Sequence, residues 1–262
     1  MCATCGCGDD GAVVTLAGQD HHHHHHDGDH HHHDHHHPPA TETISLEQKV
    51  LAKNDALAEE NRKWLAQRNI VALNITSSPG AGKTTLLERT IRELLNRQPV
   101  SVIEGDQETL LDAERIRATG CRVVQVNTGA GCHLDAEMTR RALDALQPEA
   151  DSLLFIENVG NLVCPALFDL GEQTKVVVIS VTEGTDKPLK YPHMFAAAGL
   201  IVINKTDLMP YVDFDLDKCS SYARSVNPDA EIIALSATTG DGIGAWYGWI
   251  ESSKRAESHA AR

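Results

Sequence analysis

Residues 77–85 read Ser77-Ser78-Pro79-Gly80-Ala81-Gly82-Lys83-Thr84-Thr85, and they give the strongest indication of the fold class. An apolar run precedes it at 70–75, and an apolar helical pattern follows it at 84–96. A glycine-rich turn between a buried strand and a helix directs successive backbone N–H groups at a bound phosphate. We therefore predict a phosphate-binding loop. An ordinary glycine–proline turn is the alternative, because Ser77 stands where such loops usually begin with glycine.

Side chains of the phosphate loop itself and of two further segments are expected to face the phosphates. Lys83 reaches the β- and γ-phosphates in such a loop, and Thr84 offers its hydroxyl to Mg²⁺. Asp106 ends the second apolar run and is a candidate magnesium carboxylate, while Glu157 and Gly160 follow the fourth run and are candidates for positioning water and binding the γ-phosphate. Helix capping or surface solvation is the alternative for both carboxylates. The residues of the loop itself predicted to bind nucleotide are Gly80, Ala81, Gly82, Lys83, Thr84 and Thr85.

Strands and helices alternate along the rest of the chain. Apolar runs recur at 100–103, 122–126, 152–156, 175–181, 200–203 and 231–235, and helical patterns occur at 44–68, 134–146 and 216–225. Runs that are apolar throughout are typical of parallel strands covered on both faces. The predicted fold class is α/β, a mostly parallel sheet with helices on both faces and an additional N-terminal helix.

Composition divides the chain into two parts. The 262 residues carry 37 acidic and 23 basic side chains, a formal charge of −14, and 13 of the 16 histidines lie within 21–37. A segment of His, Asp and Gly cannot bury enough apolar area to order itself, so we predict a flexible tail at 1–40 and one domain at 41–262. The acidic balance disfavours nucleic acid, and no apolar run is long enough for a membrane. Reduced cysteines favour a cytoplasmic protein.

The base of the nucleotide is predicted from a second motif, Asn204-Lys205-Thr206-Asp207, which follows an apolar run. The Asp207 carboxylate can accept hydrogen bonds from both N1–H and the N2 amino group of guanine, whereas adenine has no matching donors. Ser236 and Ala237 begin a segment that resembles the loop closing over guanine in GTPases. The predicted nucleotide is GTP, with slow intrinsic hydrolysis because no glutamine is placed to orient water.

The N-terminal tail carries two candidate metal sites. Cys2, Cys5 and Cys7 lie within six residues, and such thiols suit square-planar Ni²⁺ or tetrahedral Zn²⁺. A redox pair is the alternative. The histidine clusters offer many weak, exchangeable sites, which is the chemistry of storage or buffering. A solubilising tail or an engineered tag are the alternatives for the histidines.

A third candidate metal site lies in the domain. Cys132 and His133 follow the third apolar run, and Cys164 lies four residues beyond Gly160. Both segments follow strands of one sheet, so we expect them at the edge where open α/β folds bind ligands. Three ligands leave one tetrahedral position for water or for a second subunit. Buried packing residues are the alternative here, and packing is the role predicted for Cys121, Cys219 and the two tryptophans of the final helix.

Taken together, these motifs resemble the HypB family of hydrogenase nickel-incorporation GTPases. The resemblance rests on the Cys-x-x-Cys-Gly-Cys start, the histidine tract, the phosphate loop and three segments reading Gly-Cys-His-Leu-Asp, Glu-Asn-Val-Gly-Asn-Leu-Val-Cys-Pro and Asn-Lys-Thr-Asp. It implies the P-loop NTPase fold of SIMIBI-type GTPases, a GTP-dependent homodimer, and nickel delivery to the large subunit of nickel–iron hydrogenase with a HypA-type partner.

The resemblance also implies roles for the two cysteine sites. Cys2, Cys5 and Cys7 would form the high-affinity nickel site, and Cys132, His133 and Cys164 the weaker nickel or zinc site. A urease-type nickel accessory GTPase is the nearest alternative, but it does not predict the cysteine-rich start. A GTPase chaperone of cobalamin enzymes would not need the histidine tract. A mainly nickel-storing or detoxifying protein is the alternative from another class.

Overall fold

The computed structural model describes residues 40–106, 111–129 and 131–260, and the side chains from 48 to 254 within these ranges. The cysteines and histidines of the tail therefore lie outside the described residues. The chain divides into two units, Met1–Val50 and Leu51–Arg262, and the whole sheet belongs to the second. The predicted boundary near residue 40 stays a prediction.

Seven strands and eight α-helices make up the described chain. The strands are β1 Val71–Ser77, β2 Val100–Asp106, β3 Arg122–Asn127, β4 Leu153–Glu157, β5 Thr174–Ser180, β6 Ala198–Asn204 and β7 Glu231–Ala234. The helices are α1 Ala40–Ala66, α2 Lys83–Leu94, α3 Leu111–Arg117, α4 Ala136–Leu146, α5 Lys187–Lys190, α6 Pro192–Ala196, α7 Leu216–Val226 and α8 Ile243–Ala260. Short 3₁₀ turns cover Cys164–Ala166 and Thr206–Tyr211.

All seven strands pair in parallel, in the order β3-β2-β4-β1-β5-β6-β7. The predicted α/β class with a parallel sheet is confirmed. Because the strands are parallel, their carboxyl ends meet at one edge, and the loop after each strand opens there. The phosphate loop follows β1, which is flanked by β4 and β5.

Alternate strand residues face two helical layers. On one face, Leu73 of β1 and Val178 of β5 pack in the cluster that also holds Trp246 of α8 and the apolar residues of α2. On the other face, Ala72 of β1 packs with α1 and α4, and Val177 of β5 packs with α6 and α7. Burial on both faces explains why the five inner strands are mostly apolar, while the edge strands β3 and β7 are partly exposed.

Two details differ from the sequence prediction. Helix α1 begins at Ala40, directly after two prolines, and not at residue 44. Proline is favoured at helix starts, and nothing at 40–43 opposes a helix. Helices α3, α5 and α6 were not predicted, because they have seven, four and five residues, too few for a helical period to stand out. None of the described helices is long and apolar enough to cross a membrane.

Candidate nucleotide and metal sites

The phosphate loop joins β1 to α2 through two glycines with positive φ. Gly80 has φ +73° and Gly82 has φ +95°, a region that only glycine adopts readily. A Cβ at Gly82 would lie 2.7 Å from Asn204 Nδ2. A cavity of about 320 Å³ opens beside the loop and is lined by Gly80, Gly82, Lys83, Thr84, Thr85, Asp112, Arg115 and Lys205. Six of its eight lining residues are thus among those predicted to bind nucleotide.

The predicted base-binding residues lie against this loop. Asn204 Nδ2 donates to the Ala81 carbonyl at 2.9 Å, and Asn204 Oδ1 accepts from the Ala237 N–H at 3.0 Å. Lys205 Nζ donates to the Gly80 carbonyl at 2.7 Å. Ser236 Oγ donates to Asp207 Oδ1 at 2.5 Å, which orients the carboxylate. Segments more than 120 residues apart are brought together as the motifs predict.

Arg89, which was not identified from the sequence, forms hydrogen bonds with the base-binding loop that begins at Ser236. Its Nη1 donates to the carbonyl oxygens of Ala237 at 3.1 Å and Thr238 at 3.0 Å. Arg89 belongs to α2, the helix that begins at the phosphate loop. A single arginine in an amphipathic helix carries no local sign of such a contact, so sequence reasoning could not have found it.

The end of the site near β4 is acidic and buried. Thr84 Oγ1 donates to Glu157 Oε1 at 2.7 Å, while Glu157 Oε2 has no hydrogen-bond partner among the described residues. Burial raises the pKa of the Glu157 carboxyl, and the nearby Lys83 ammonium opposes that shift. Lys83 Nζ itself donates to Ser77 Oγ at 3.0 Å. Ser77 thus contacts the phosphate-loop lysine.

A second buried carboxyl, Glu104, lies beside the first. Glu104 on β2 pairs in register with Glu157 on β4. Burial, then the charges of Glu157 and Asp106, raise the pKa of Glu104 to about 8. Glu104 Oε2 has no hydrogen-bond partner within the described part of the chain. Since Mg²⁺ prefers hard oxygen ligands, the Thr84 hydroxyl and these carboxyl oxygens fit the predicted magnesium ion.

The loop after β4 approaches the phosphate loop closely. A Cβ at Gly160 would lie 3.2 Å from Pro79 Cα, so glycine allows the two loops to meet. Lys187, at the start of α5, donates to Ser78 Oγ at 3.3 Å and pairs with Glu183 at 3.0 Å. The segment 182–187 after β5 therefore contacts the phosphate loop through Lys187.

The structure brings Cys132, His133 and Cys164 together. Their ligand atoms all lie within 4.8 Å of one another, with 2.8 Å between the two Sγ atoms and 3.6 Å from Cys132 Sγ to His133 Nδ1. Burial lowers the pKa of His133, which favours the neutral imidazole that metal binding requires. The His133 ring lies 4.0 Å from that of Phe168. This arrangement fits a thiolate- and imidazole-binding metal with an open position.

Two other cysteines have the packing role predicted for them. Cys121 and Cys219 are buried in apolar clusters, and burial raises the pKa of their thiols to about 12 and about 11. Trp246 and Trp249 are likewise buried, as predicted.

Comparison with known proteins agrees with this geometry. Residues 71–234 match the family model described as CobW/HypB/UreG, nucleotide-binding domain. The hydrogenase maturation factor HypB of Escherichia coli K12 is 58% identical over 211 residues, which cover 80% of this chain and 73% of that protein.

Two solved structures are also similar. The Archaeoglobus fulgidus HypB structure is 43% identical, with a TM-score of 0.73, over 78% of this chain and 99% of that one. The Helicobacter pylori HypB structure in complex with nickel is 36% identical, with a TM-score of 0.73, over 78% of this chain and 95% of that one.

The fold and the phosphate and base loops define a P-loop nucleotide-binding protein of the SIMIBI-type GTPase class. Within that class, the chain belongs to the HypB family of hydrogenase maturation factors. The family resemblance found in the sequence is therefore confirmed. The individual site residues stay predictions, now with a defined geometry.

Proposed function

We propose that this chain is a GTP-hydrolysing nickel metallochaperone that delivers nickel to the large subunit of nickel–iron hydrogenase. The observation that carries the proposal is the position of the Cys132, His133 and Cys164 cluster. It lies at the same sheet edge as the phosphate loop, and Cys164 is four residues beyond Gly160, which packs against Pro79. One loop thus connects the candidate γ-phosphate sensor to a metal ligand.

In the proposed hydrolysis, water attacks the γ-phosphorus, the bond to the β–γ bridging oxygen breaks, and GDP and phosphate leave. Lys83 and the phosphate-loop N–H groups stabilise charge on the phosphates, and the Gly160 N–H binds the γ-phosphate. Glu157 orients the attacking water. Asp207, with Asn204 and Lys205, selects guanine.

A magnesium ion would be held by Thr84 and Asp106, with Glu157 and Glu104 nearby, and would neutralise charge on the β- and γ-phosphates. The buried carboxyl oxygens of Glu104 and Glu157 support this assignment. The Thr84–Glu157 hydrogen bond orients the hydroxyl that would bind the ion.

Nickel is the proposed cargo, and the nickel complex of the Helicobacter pylori relative supports it. Cys2, Cys5 and Cys7 would form the high-affinity site in the tail, and Cys132, His133 and Cys164 a nickel or zinc site in the GTPase domain. Hydrolysis would shift the loop at 157–160 and change this second ligand set, so that metal is released.

The partners that follow are a HypA-type protein, the hydrogenase large subunit and a second copy of this chain, with dimerisation promoted by GTP, metal or both. A cytoplasmic location belongs to the same proposal. The histidine tract would add nickel storage. The family match favours hydrogenase maturation over urease maturation. A protein that only stored nickel would not need a nucleotide-binding site.

Coupling between the two sites provides the first test. In full-length protein with Cys2, Cys5 and Cys7 replaced by Ala, thiolate-to-metal charge-transfer absorption reports Ni²⁺ at Cys132 and Cys164, and histidine-bound Ni²⁺, which competes equally in both nucleotide states, does not contribute to this band. Nickel affinity is measured with GDP and with a non-hydrolysable GTP analogue. We expect weaker binding with GDP, and the band should vanish in a further Cys132→Ser/Cys164→Ser variant. Equal affinities would contradict coupled release.

Asp207→Asn tests the choice of base. The amide of Asn can donate to the O2 carbonyl of xanthine but cannot accept both guanine donors. We therefore expect GTP affinity to fall by about 100-fold and xanthosine triphosphate to bind better than GTP. Competition binding with both nucleotides measures this. As a control, Asp213→Asn, in the loop before α7, should leave the preference for GTP intact.

A further inference from the structure

We propose that Asn158 is the positioning residue that couples the nucleotide-sensing loop to the metal-ligand loop. The proposal rests on the function proposed above and names the side chain that would transmit it. Asn158 directly follows Glu157, the carboxyl that is hydrogen-bonded to Thr84 of the phosphate loop. It is 1% exposed, and its backbone N–H donates to the Ile75 carbonyl of β1 at 2.9 Å.

The Asn158 side chain joins two loops through one oxygen atom. Oδ1 accepts from the Val159 N–H at 3.0 Å, within the loop that leads to Gly160. The same Oδ1 accepts from the Leu134 N–H at 3.1 Å, one residue beyond His133. A displacement of the first loop therefore moves an acceptor on which the second loop depends.

The packing of Leu134 and its hydrogen bond to Asn158 would transmit such a movement to the candidate metal ligands. A Cβ at Gly105 on β2 would lie 2.8 Å from Leu134 Cγ, so the leucine side chain packs directly on that strand. With its side chain confined and its N–H bound to Asn158, Leu134 orients the preceding Cys132 and His133. Asn161 adds a second link from the same loop, since its Nδ2 donates to the Cys132 carbonyl at 3.2 Å.

A network of buried hydrogen bonds also holds the side-chain amide nitrogen of Asn158. Its Nδ2 donates to Asn74 Oδ1 at 3.3 Å, and Asn74 Nδ2 donates to Glu172 Oε1 at 3.0 Å. Glu172 is paired with buried Lys175 at 2.7 Å and accepts from the Leu170 N–H at 2.7 Å. Leu170 lies two residues beyond Phe168, whose ring contacts His133. The network therefore connects Asn158 to Leu134, next to His133, and to Leu170, six residues beyond Cys164.

A fully satisfied buried network is rigid, and it moves as a unit when one member moves. A purely structural asparagine would lower stability and would change metal affinity equally in every nucleotide state. A coupling asparagine changes the ratio of the metal affinities in the two nucleotide states. That ratio is the readout that separates the two roles.

The experiment uses the full-length Cys2/Cys5/Cys7→Ala protein and the Ni²⁺ charge-transfer titration. The ratio of nickel dissociation constants with GDP and with the non-hydrolysable GTP analogue is measured for this parent, Asn158→Ala, Asn158→Asp and Asn227→Ala. Asn227 is the matched control and lies where α7 ends, at the opposite edge of the sheet. Its side-chain nitrogen donates to three carbonyl groups, and its side-chain oxygen accepts from two backbone N–H groups.

We expect a ratio of about fivefold or more in the parent and in Asn227→Ala. Asn158→Ala should retain the charge-transfer band but bring the ratio close to one. Asn158→Asp keeps an acceptor for both N–H groups but loses the donor to Asn74 Oδ1. Because the shared acceptor carries the coupling, the folded aspartate variant should stay within about twofold of the parent, and it tests the proposal even if the alanine variant does not fold.

An unchanged ratio in Asn158→Ala, or a ratio near one in folded Asn158→Asp, would overturn the role of Asn158 and leave the proposed function standing. A ratio of one in the parent would overturn coupled release itself, and the role of Asn158 with it.

Discussion

Glu104 and Glu157 are two carboxyl groups that face each other on neighbouring strands in the interior. Burying a carboxylate is costly unless it is paired, so both pKa values are raised. Such a pair carries a cost in the free protein that a bound cation would relieve. The sequence indicated Glu157 from its place after a strand, but Glu104 was overlooked because a glutamate inside a strand usually faces solvent.

Glu104→Gln is predicted to make stability less dependent on pH. The folded-state pKa of about 8 exceeds the ordinary value of 4.5, so its stabilising contribution is complete below about pH 4.5 and is lost as pH rises through 8. The loss amounts to at most about 1.4 kcal/mol per pH unit. Without magnesium or nucleotide, we expect the variant to be more stable than the parent at pH 9.

Urea unfolding at pH 6 and at pH 9 measures this difference. Glu157 is present in both proteins, so the difference between the two pH dependences reports Glu104 together with its coupling to Glu157. Identical pH dependences would show that Glu104 does not carry a raised pKa.

Helix α1 is hydrogen-bonded to Ala136 and Leu170, which lie three residues beyond His133 and six beyond Cys164, two of the candidate metal ligands. Asn54 Oδ1 accepts from the Ala136 N–H at 2.9 Å, and Asn61 Nδ2 donates to the carbonyl oxygens of Ala136 at 2.9 Å and Leu170 at 3.1 Å. A Cβ at Gly171 would lie 2.5 Å from the Ala58 carbonyl oxygen, so only glycine allows the helix this close. The helix was predicted from its apolar period, whereas its buried asparagines give no periodic signal.

Asn61→Ala is predicted to lower the free energy of unfolding by about 2 kcal/mol, because two buried carbonyl groups lose their donor. Lys53→Ala is the control on the same helix: its ion pair with Glu137 spans 3.4 Å and is solvent-exposed, so we expect a change below about 0.5 kcal/mol. Chemical denaturation measures both. Equal effects of the two variants would contradict the anchoring role of Asn61.

Among the elements, the strands were the easiest to predict. The five inner strands are buried and mostly apolar, whereas the edge strands β3 and β7 are partly exposed. All seven predicted strands occur within a few residues of their predicted ends. The short helices near the site were missed because they are held by tertiary contacts, such as that of Lys187 with Ser78, more than by their own propensity.

At the level of the whole chain, charge and histidine content separate the tail from the GTPase domain. Deleting residues 19–37 removes 13 histidines and leaves the phosphate and base loops untouched. We predict that nickel stoichiometry falls by several ions while the GTP hydrolysis rate stays within about twofold. Equilibrium dialysis and phosphate release measure the two quantities. Loss of hydrogenase maturation at ample nickel would contradict a storage-only role for the tract.

Local pattern alone predicted the strand–helix alternation, which the structure confirms, and it is also the basis for the proposed phosphate loop, guanine motif and metal sites, because each is recognised from short runs of sequence. Strand order was decided only in the tertiary structure. Placing β4 between β2 and β1 pairs Glu104 with Glu157 and brings Leu134 onto Asn158. Such contacts depend on which strands pack side by side, and that choice minimises the free energy of the whole core, which no local stretch of sequence encodes.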